Sequence, residues 1–112
     1  MNTPQFQVDD MYQLLRHGDV ARFNELRQQG MECDLRNADL RGMDLRQLDP
    51  RGLDMTNAFL RQSDLRGVDF SETILHGVSI SGAKISGTLF PVELSAEEIN
   101  LSLTHGTRMR YR

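Results

Sequence analysis

The chain has 112 residues, 13 Lys plus Arg against 16 Asp plus Glu, a single Cys, no Trp and a formal net charge of −3. That length suits one domain, and so small a net charge does not point to a polyanion-binding or strongly acidic protein. Hydrophobic residues make up 38% and aromatics 6%, a thin supply for a conventional two-layer core. A repeat architecture avoids the shortage, because each unit buries its apolar face against its neighbours.

No signal-peptide pattern and no run of roughly 18 apolar residues is present, so no membrane association is expected. Cys33 stands alone, which excludes an internal disulfide framework and fits a reducing compartment; the expected location is the cytoplasm.

Residues 1–32 are expected to form an N-terminal helical cap. Val8 to His17 carries apolar residues at Met11, Leu14 and Leu15 and stops at Gly18. Asp19 can cap a second helix whose apolar residues are Val20, Phe23 and Leu26, with Gly30 closing it. A DNA-reading helix pair is disfavoured, since the second helix holds only Arg22 and Arg27 and has no basic face.

From Cys33 to Val92 the chain divides without insertion into twelve five-residue units: CDLRN, ADLRG, MDLRQ, LDPRG, LDMTN, AFLRQ, SDLRG, VDFSE, TILHG, VSISG, AKISG and TLFPV. The middle residue is Leu, Met, Ile or Phe in eleven units, and Pro50 is the exception. The first residue is small or apolar; Asp fills the second place in seven units, Arg the fourth in six and Gly the fifth in six. Neither a period of 3.6 nor one of 2 yields this pattern, and a helix would not tolerate Gly at such spacing.

These units resemble the pentapeptide-repeat family, whose units run small residue, Asp or Asn, Leu or Phe, polar residue, then often Gly. The resemblance implies an all-β solenoid with helical caps: a right-handed quadrilateral β-helix, one unit per face, four units per turn and about three coils over residues 33–92. Residue n then lies beneath residue n+20. The expected core files are Leu35, Met55, Leu75; Leu40, Leu60, Ile80; Leu45, Leu65, Ile85; and Pro50, Phe70, Phe90. First-position residues such as Ala38, Ala58 and Val78 should also point inward. Pro50 removes a backbone donor, so a local break in the ladder is expected there.

Residues 93–112 read as a C-terminal helix and a basic tail. Ser95 and Glu98 form a capping box, Ile99 and Leu103 a short apolar stripe, and Gly106 the stop. The tail from Thr107 to Arg112, with three arginines and one tyrosine, reads as a solvated terminus.

Charge is uneven along the repeats. Residues 33–72 hold eight acids and six arginines, whereas residues 73–92 hold only Lys84. In the implied geometry Arg41 and Arg61 stack on one face and Arg46 and Arg66 on the next. Four guanidinium groups around one corner could take an anionic partner, although the interleaved Asp residues dilute their field. Phe59, Ile74 and Leu89 occupy the second position, where Asp usually sits, and should face outward. Exposed apolar residues of this kind are usually covered. The expected cover is the C-terminal helix, and the alternative is a two-fold homodimer through the C-terminal end.

No catalytic set emerges. His17, His76 and His105 lie in three different elements, none at metal-ligand spacing, and Cys33 takes a first position as a small core residue. No phosphate-binding glycine loop is present, so no enzyme activity, cofactor, metal or direct nucleic-acid contact is expected. The leading function is a binding or structural module for another protein. A second, implied by the family, is a DNA-mimicking partner of gyrase or a related topoisomerase, although three coils are short for a duplex mimic and the faces mix Arg with Asp. A third is a bacterial secreted effector.

Overall fold

A computed structural model describes residues 8–112, with side chains from Asp10 onward. The part of the expected 1–32 cap that precedes Val8 lies outside the described residues. The elements are α1 (Val8–Arg16), α2 (Val20–Gln28) and α3 (Ala96–His105). Their ends follow the local chemistry. The Asp19 carboxylate accepts from the Arg22 N–H (3.1 Å), and Gly30 carries the chain away from α2 at φ 93°. At α3 the Ser95 hydroxyl accepts from the Glu98 N–H (3.1 Å), and Gly106 ends the helix at φ 74°. The capping box is only half made. The Glu98 carboxylate turns to Arg110 instead, accepting from its backbone N–H (2.9 Å) and its guanidinium (3.1 Å), because a charge-assisted bond outweighs a neutral one.

Between α2 and α3 the chain turns every five residues. Six isolated parallel bridges join it to itself, each between residues twenty apart: 39 with 59, 44 with 64, 54 with 74, 59 with 79, 64 with 84 and 69 with 89. The all-β expectation needs correction here, since the described residues form three helices and single bridges, not strands of a continuous sheet. Each unit extends only around its second residue before the next corner, so each bridge between coils is one residue wide. The first coil is residues 33–52, the second 53–72 and the third 73–92.

The bonds between coils follow one rule. The third residue's N–H donates up to the second residue's carbonyl in the next coil, as from Leu40 to Phe59 and Leu60 to Ser79, both 2.9 Å. The second residue's N–H donates down to a first-position carbonyl, as from Phe59 to Ala38 (2.9 Å). Most corners are β-turns closed from the next unit's first N–H to the middle carbonyl, for example Ala58 to Met55 at 2.9 Å; after Leu40 the Met43 N–H donates instead to the Ser63 hydroxyl (3.2 Å). Nine fifth-position residues have positive φ, including Asn37, Asn57 and Gln62. Gly77 is required for a further reason: a Cβ there would lie 1.9 Å from Asn57 Oδ1 in the coil beneath.

Leu35, Leu40, Leu45, Met55, Leu60, Leu65, Phe70, Leu75 and Ile80 are fully buried, and Pro50 is buried with them. Each such aliphatic side chain contributes roughly 1.5–3 kcal/mol on leaving water. Ala58 and Val78 fill the bore from first positions. Ile85 and Phe90, at the top of their files, are only half-buried.

No bridge joins Asp49 to Asp69, so the ladder is interrupted beside Pro50. On the lower edge of the same unit Asn24 of α2 takes the place of a coil: its amide donates to the Gln47 carbonyl (2.7 Å) and accepts from the Asp49 N–H (3.0 Å). From above, the Thr73 hydroxyl donates to the Pro50 carbonyl (2.7 Å). Ser63 and Thr88 do the same to Leu40 and Leu65, each at 2.6 Å, so a first-position hydroxyl in the bore satisfies itself on the coil below. Below the first coil, α1 and α2 press Met11, Leu15 and Phe23 into the core, while the Tyr12 hydroxyl donates to the Asp39 carbonyl (2.8 Å).

Candidate functional site: the charged faces and the half-covered end

The Asp and Arg residues of one unit close on each other. In the units of Asp34, Asp39, Asp44, Asp49 and Asp64, the carboxylate accepts from the backbone N–H two residues on and from both Nε and Nη2 of the same arginine. The Asp caps the turn and the Arg caps the Asp. Hydrogen bonds from Arg36, Arg41 and Arg66 hold the carboxyls of Asp34, Asp39 and Asp64 at about 2. Thr56 and Ser71 take the arginine's place beside Asp54 and Asp69.

Of the four arginines expected around one corner, Arg46 and Arg66 meet at Asp64, at 3.5 and 2.6 Å. Arg41 lies folded onto Asp39 (2.8 Å). Arg61 has Phe59 where its Asp would be, and reaches up to the Ser79 hydroxyl (3.1 Å) and the Gly106 carbonyl (3.3 Å). All four guanidinium groups therefore have partners within the chain, and they do not converge on a single point.

The C-terminal segment behaves differently from expectation. The tail is not a solvated terminus: it folds back antiparallel along the third coil. Met109 is fully buried, its N–H donating to the Val78 carbonyl (2.9 Å) and its carbonyl accepting from the Gly77 N–H (2.6 Å). The Tyr111 hydroxyl accepts from the Leu75 N–H (2.8 Å), and the Tyr111 ring meets the His76 ring edge-on with centroids 5.5 Å apart. The Arg108 guanidinium lies 4.8 Å from the centroid of the Phe59 ring, so the tail and not the helix covers Phe59. The reason is the coil's own unpaired backbone, which any nearby extended segment can satisfy.

α3 docks on the end of the bore, where the Ser102 hydroxyl accepts from the Ile80 N–H (3.0 Å) and the Leu103 carbonyl from the Gly82 N–H (3.2 Å). It does not cover the outer faces as expected. Ile74 and Leu89 keep 45% and 56% of their surface exposed, joined by Val92 (80%) and Leu101 (41%). Second-position side chains point sideways from the solenoid, whereas α3 is pinned over its end.

His17, His76 and His105 are exposed and separate, and burial pushes the Cys33 thiol up from its usual range. Among the described residues no group of His, Cys, Asp and Glu could hold a metal ion, and no helix is long and apolar enough to cross a membrane.

Twenty-residue register, turn-closing Asp residues and an apolar file through the bore define a repeat solenoid. Eight copies of the model for pentapeptide repeats match the chain, over residues 33–71 and 54–90. The chain belongs to the pentapeptide-repeat family. Among curated proteins and among solved structures, none matches it.

Proposed function

We propose that this protein is a non-enzymatic binding or structural module, a right-handed quadrilateral β-helix that presents a rigid surface to a protein partner. One observation carries the reading. Five Asp–Arg pairs of the first two coils close within their own units, while the large exposed apolar side chains, Ile74, Leu89, Val92 and Leu101, lie in the third coil and the C-terminal end. Apolar exposure set apart from a self-neutralised surface is the signature of a contact region. The paired arginines then serve as a polar flank. The wide separation of the histidines and the half-buried thiol, whose pKa is raised, support a role without chemistry.

A pull-down comparing the wild type with the Ile74→Asp, Leu89→Asp double variant tests this. Both positions are on the surface, so the variant should melt like the wild type and lose its protein partner or its self-association. Retention of every partner by a folded double variant would overturn the reading.

A further inference from the structure

The end of the third coil is sealed on two faces and bare on the other two. The upward-pointing N–H groups of Leu75, Gly77, Ile80 and Gly82 all find partners, in Tyr111, Met109, Ser102 and Leu103. The N–H groups of Ile85, Gly87 and Phe90 and the carbonyls of Ala83 and Thr88 make no hydrogen bond within the described residues. Beside this edge lie the half-buried side chains of Ile85, Phe90, Ile99 and Leu103.

One coil lower, every equivalent group is filled. Leu65, Gly67 and Phe70 donate to the carbonyls of Lys84, Ser86 and Leu89 (2.9, 3.0 and 2.8 Å), and the N–H groups of Lys84 and Leu89 donate to Ser63 and Val68 (both 3.0 Å). The bare edge repeats that grammar without an occupant. Its charge is specific as well. Lys84 is the one residue of the third coil among Asp, Glu, Lys and Arg, it is exposed, and no ion pair holds it among the described residues; Asp64, bridged beneath it, is already shared by Arg46 and Arg66. Among the described residues three open N–H donors stand against two open carbonyls, and the Lys84 ammonium adds the one full charge, so this edge has a positive character.

We infer that the uncovered half of the third coil binds an extended acidic segment of another protein by strand addition. The segment runs parallel to Gly82–Phe90, sets apolar residues over Ile85 and Phe90, and places a carboxylate over Lys84. The tail's seating of Met109 on the neighbouring half shows that this end accepts an added segment, there in the antiparallel sense, while the coil beneath supplies the parallel register. The inference rests on the protein-binding reading above and names the chemistry of the partner.

The probe is a synthetic peptide copying Gln62 to Glu72, the segment that already pairs with this face from beneath and whose Asp64 would come to lie over Lys84. With the full-length protein, saturating peptide should slow amide exchange at Ile85, Gly87 and Phe90 by at least about tenfold. Lys84→Glu should weaken binding at least about fivefold, and a peptide with Asp64→Lys should restore it. Phe90→Pro, in the file where Pro50 is already tolerated, deletes one edge donor that the chain does not use. It should weaken the peptide while unfolding stays cooperative.

Absence of binding, binding indifferent to Lys84→Glu, or slow exchange at the three amides without peptide would each overturn the inference. A concentration-dependent dimer in sedimentation that protects the same amides would assign the edge to a second copy, and overturns it too. If the peptide fails while the Ile74→Asp, Leu89→Asp variant still loses its protein partner, the edge falls alone. If that variant also keeps its partner, the broader reading falls with it.

Discussion

The two ends of this solenoid meet the same problem differently. Below the first coil, two helices plug the bore with Met11, Leu15 and Phe23, and their polar side chains reach the backbone edge. Tyr12 holds Asp39, Asn24 holds Gln47 and Asp49, and Arg27 holds Arg51, at the cost of an Arg27 Nε buried without a partner. Above the third coil, one helix and a returning tail do both tasks, but over half the cross-section only. Plugging a bore and pairing an edge are separable tasks: a helix supplies apolar bulk, while the edge needs donors and acceptors at set places.

The sharpest way to break the comparison is to delete bulk at matched positions. Leu60→Ala, fully buried in the middle coil, should cost about 2–5 kcal/mol in urea denaturation. Ile85→Ala, at the half-open end, should cost less than half as much, because part of its side chain never leaves water. Equal costs would mean that the C-terminal end is sealed in solution.

Corners offer a second contrast. Gly77 and Gly42 have similar left-handed backbones, φ 79° and 69°. Gly42→Ala meets open space and should cost about 1–2 kcal/mol from its conformation alone. Gly77→Ala adds a collision with the Asn57 amide and should cost clearly more, and in an Asn57→Gly background it should fall back to the Gly42→Ala value. If the two single substitutions cost the same, corner does not stack on corner as closely as Gly77 over Asn57 requires.

What could be read from the chain beforehand follows a physical line. The register was legible because one apolar residue in five, repeated with a single exception at Pro50, has no other explanation. The helix ends were legible because Asp19, Ser95 and Gly106 act on groups within four residues of themselves. The tail was not, since Met109 is one apolar residue among arginines and its burial depends on a coil thirty residues away. Nor was the closure of each Asp on its own Arg, although the spacing of two was visible. Spacing shows proximity, but only the turn geometry brings the guanidinium back onto the carboxylate. Which half of the end stays bare depends on where residues 93–95 aim α3, and no pattern in those residues encodes it.

A smaller effect separates the two ends again. Tyr111→Phe removes the hydroxyl that accepts from Leu75, and Tyr12→Phe removes the one that donates to Asp39. Each should cost about 1 kcal/mol. Only Tyr111→Phe should raise the exchange rate of the Leu75 amide toward that of the unpaired Ile85 amide, because at the other end the group left bare is a carbonyl.

Acid gives the smallest effect and tests the charged coils against the neutral one. The carboxyls of Asp34, Asp39 and Asp64 sit at about 2 in the folded chain, first because of side-chain hydrogen bonds from Arg36, Arg41 and Arg66, against an ordinary 3.8. A carboxyl lowered on folding adds stability that is complete above the ordinary value and is lost as pH falls through the folded one. The urea midpoint should therefore be flat from pH 6 to about 4 and decline between about 4 and 2. The third coil carries no carboxylate, so the whole decline belongs to the first two coils and the caps. Arg66→Gln removes the larger hold on Asp64, leaving Arg46 beside it. It should flatten part of the decline by lowering the neutral-pH midpoint slightly toward the acid one, a small shift because the pair is solvated. A midpoint that stays level down to pH 2 would show that the arginines swing free in solution, and the surface of the first two coils would then be open to an anionic partner after all.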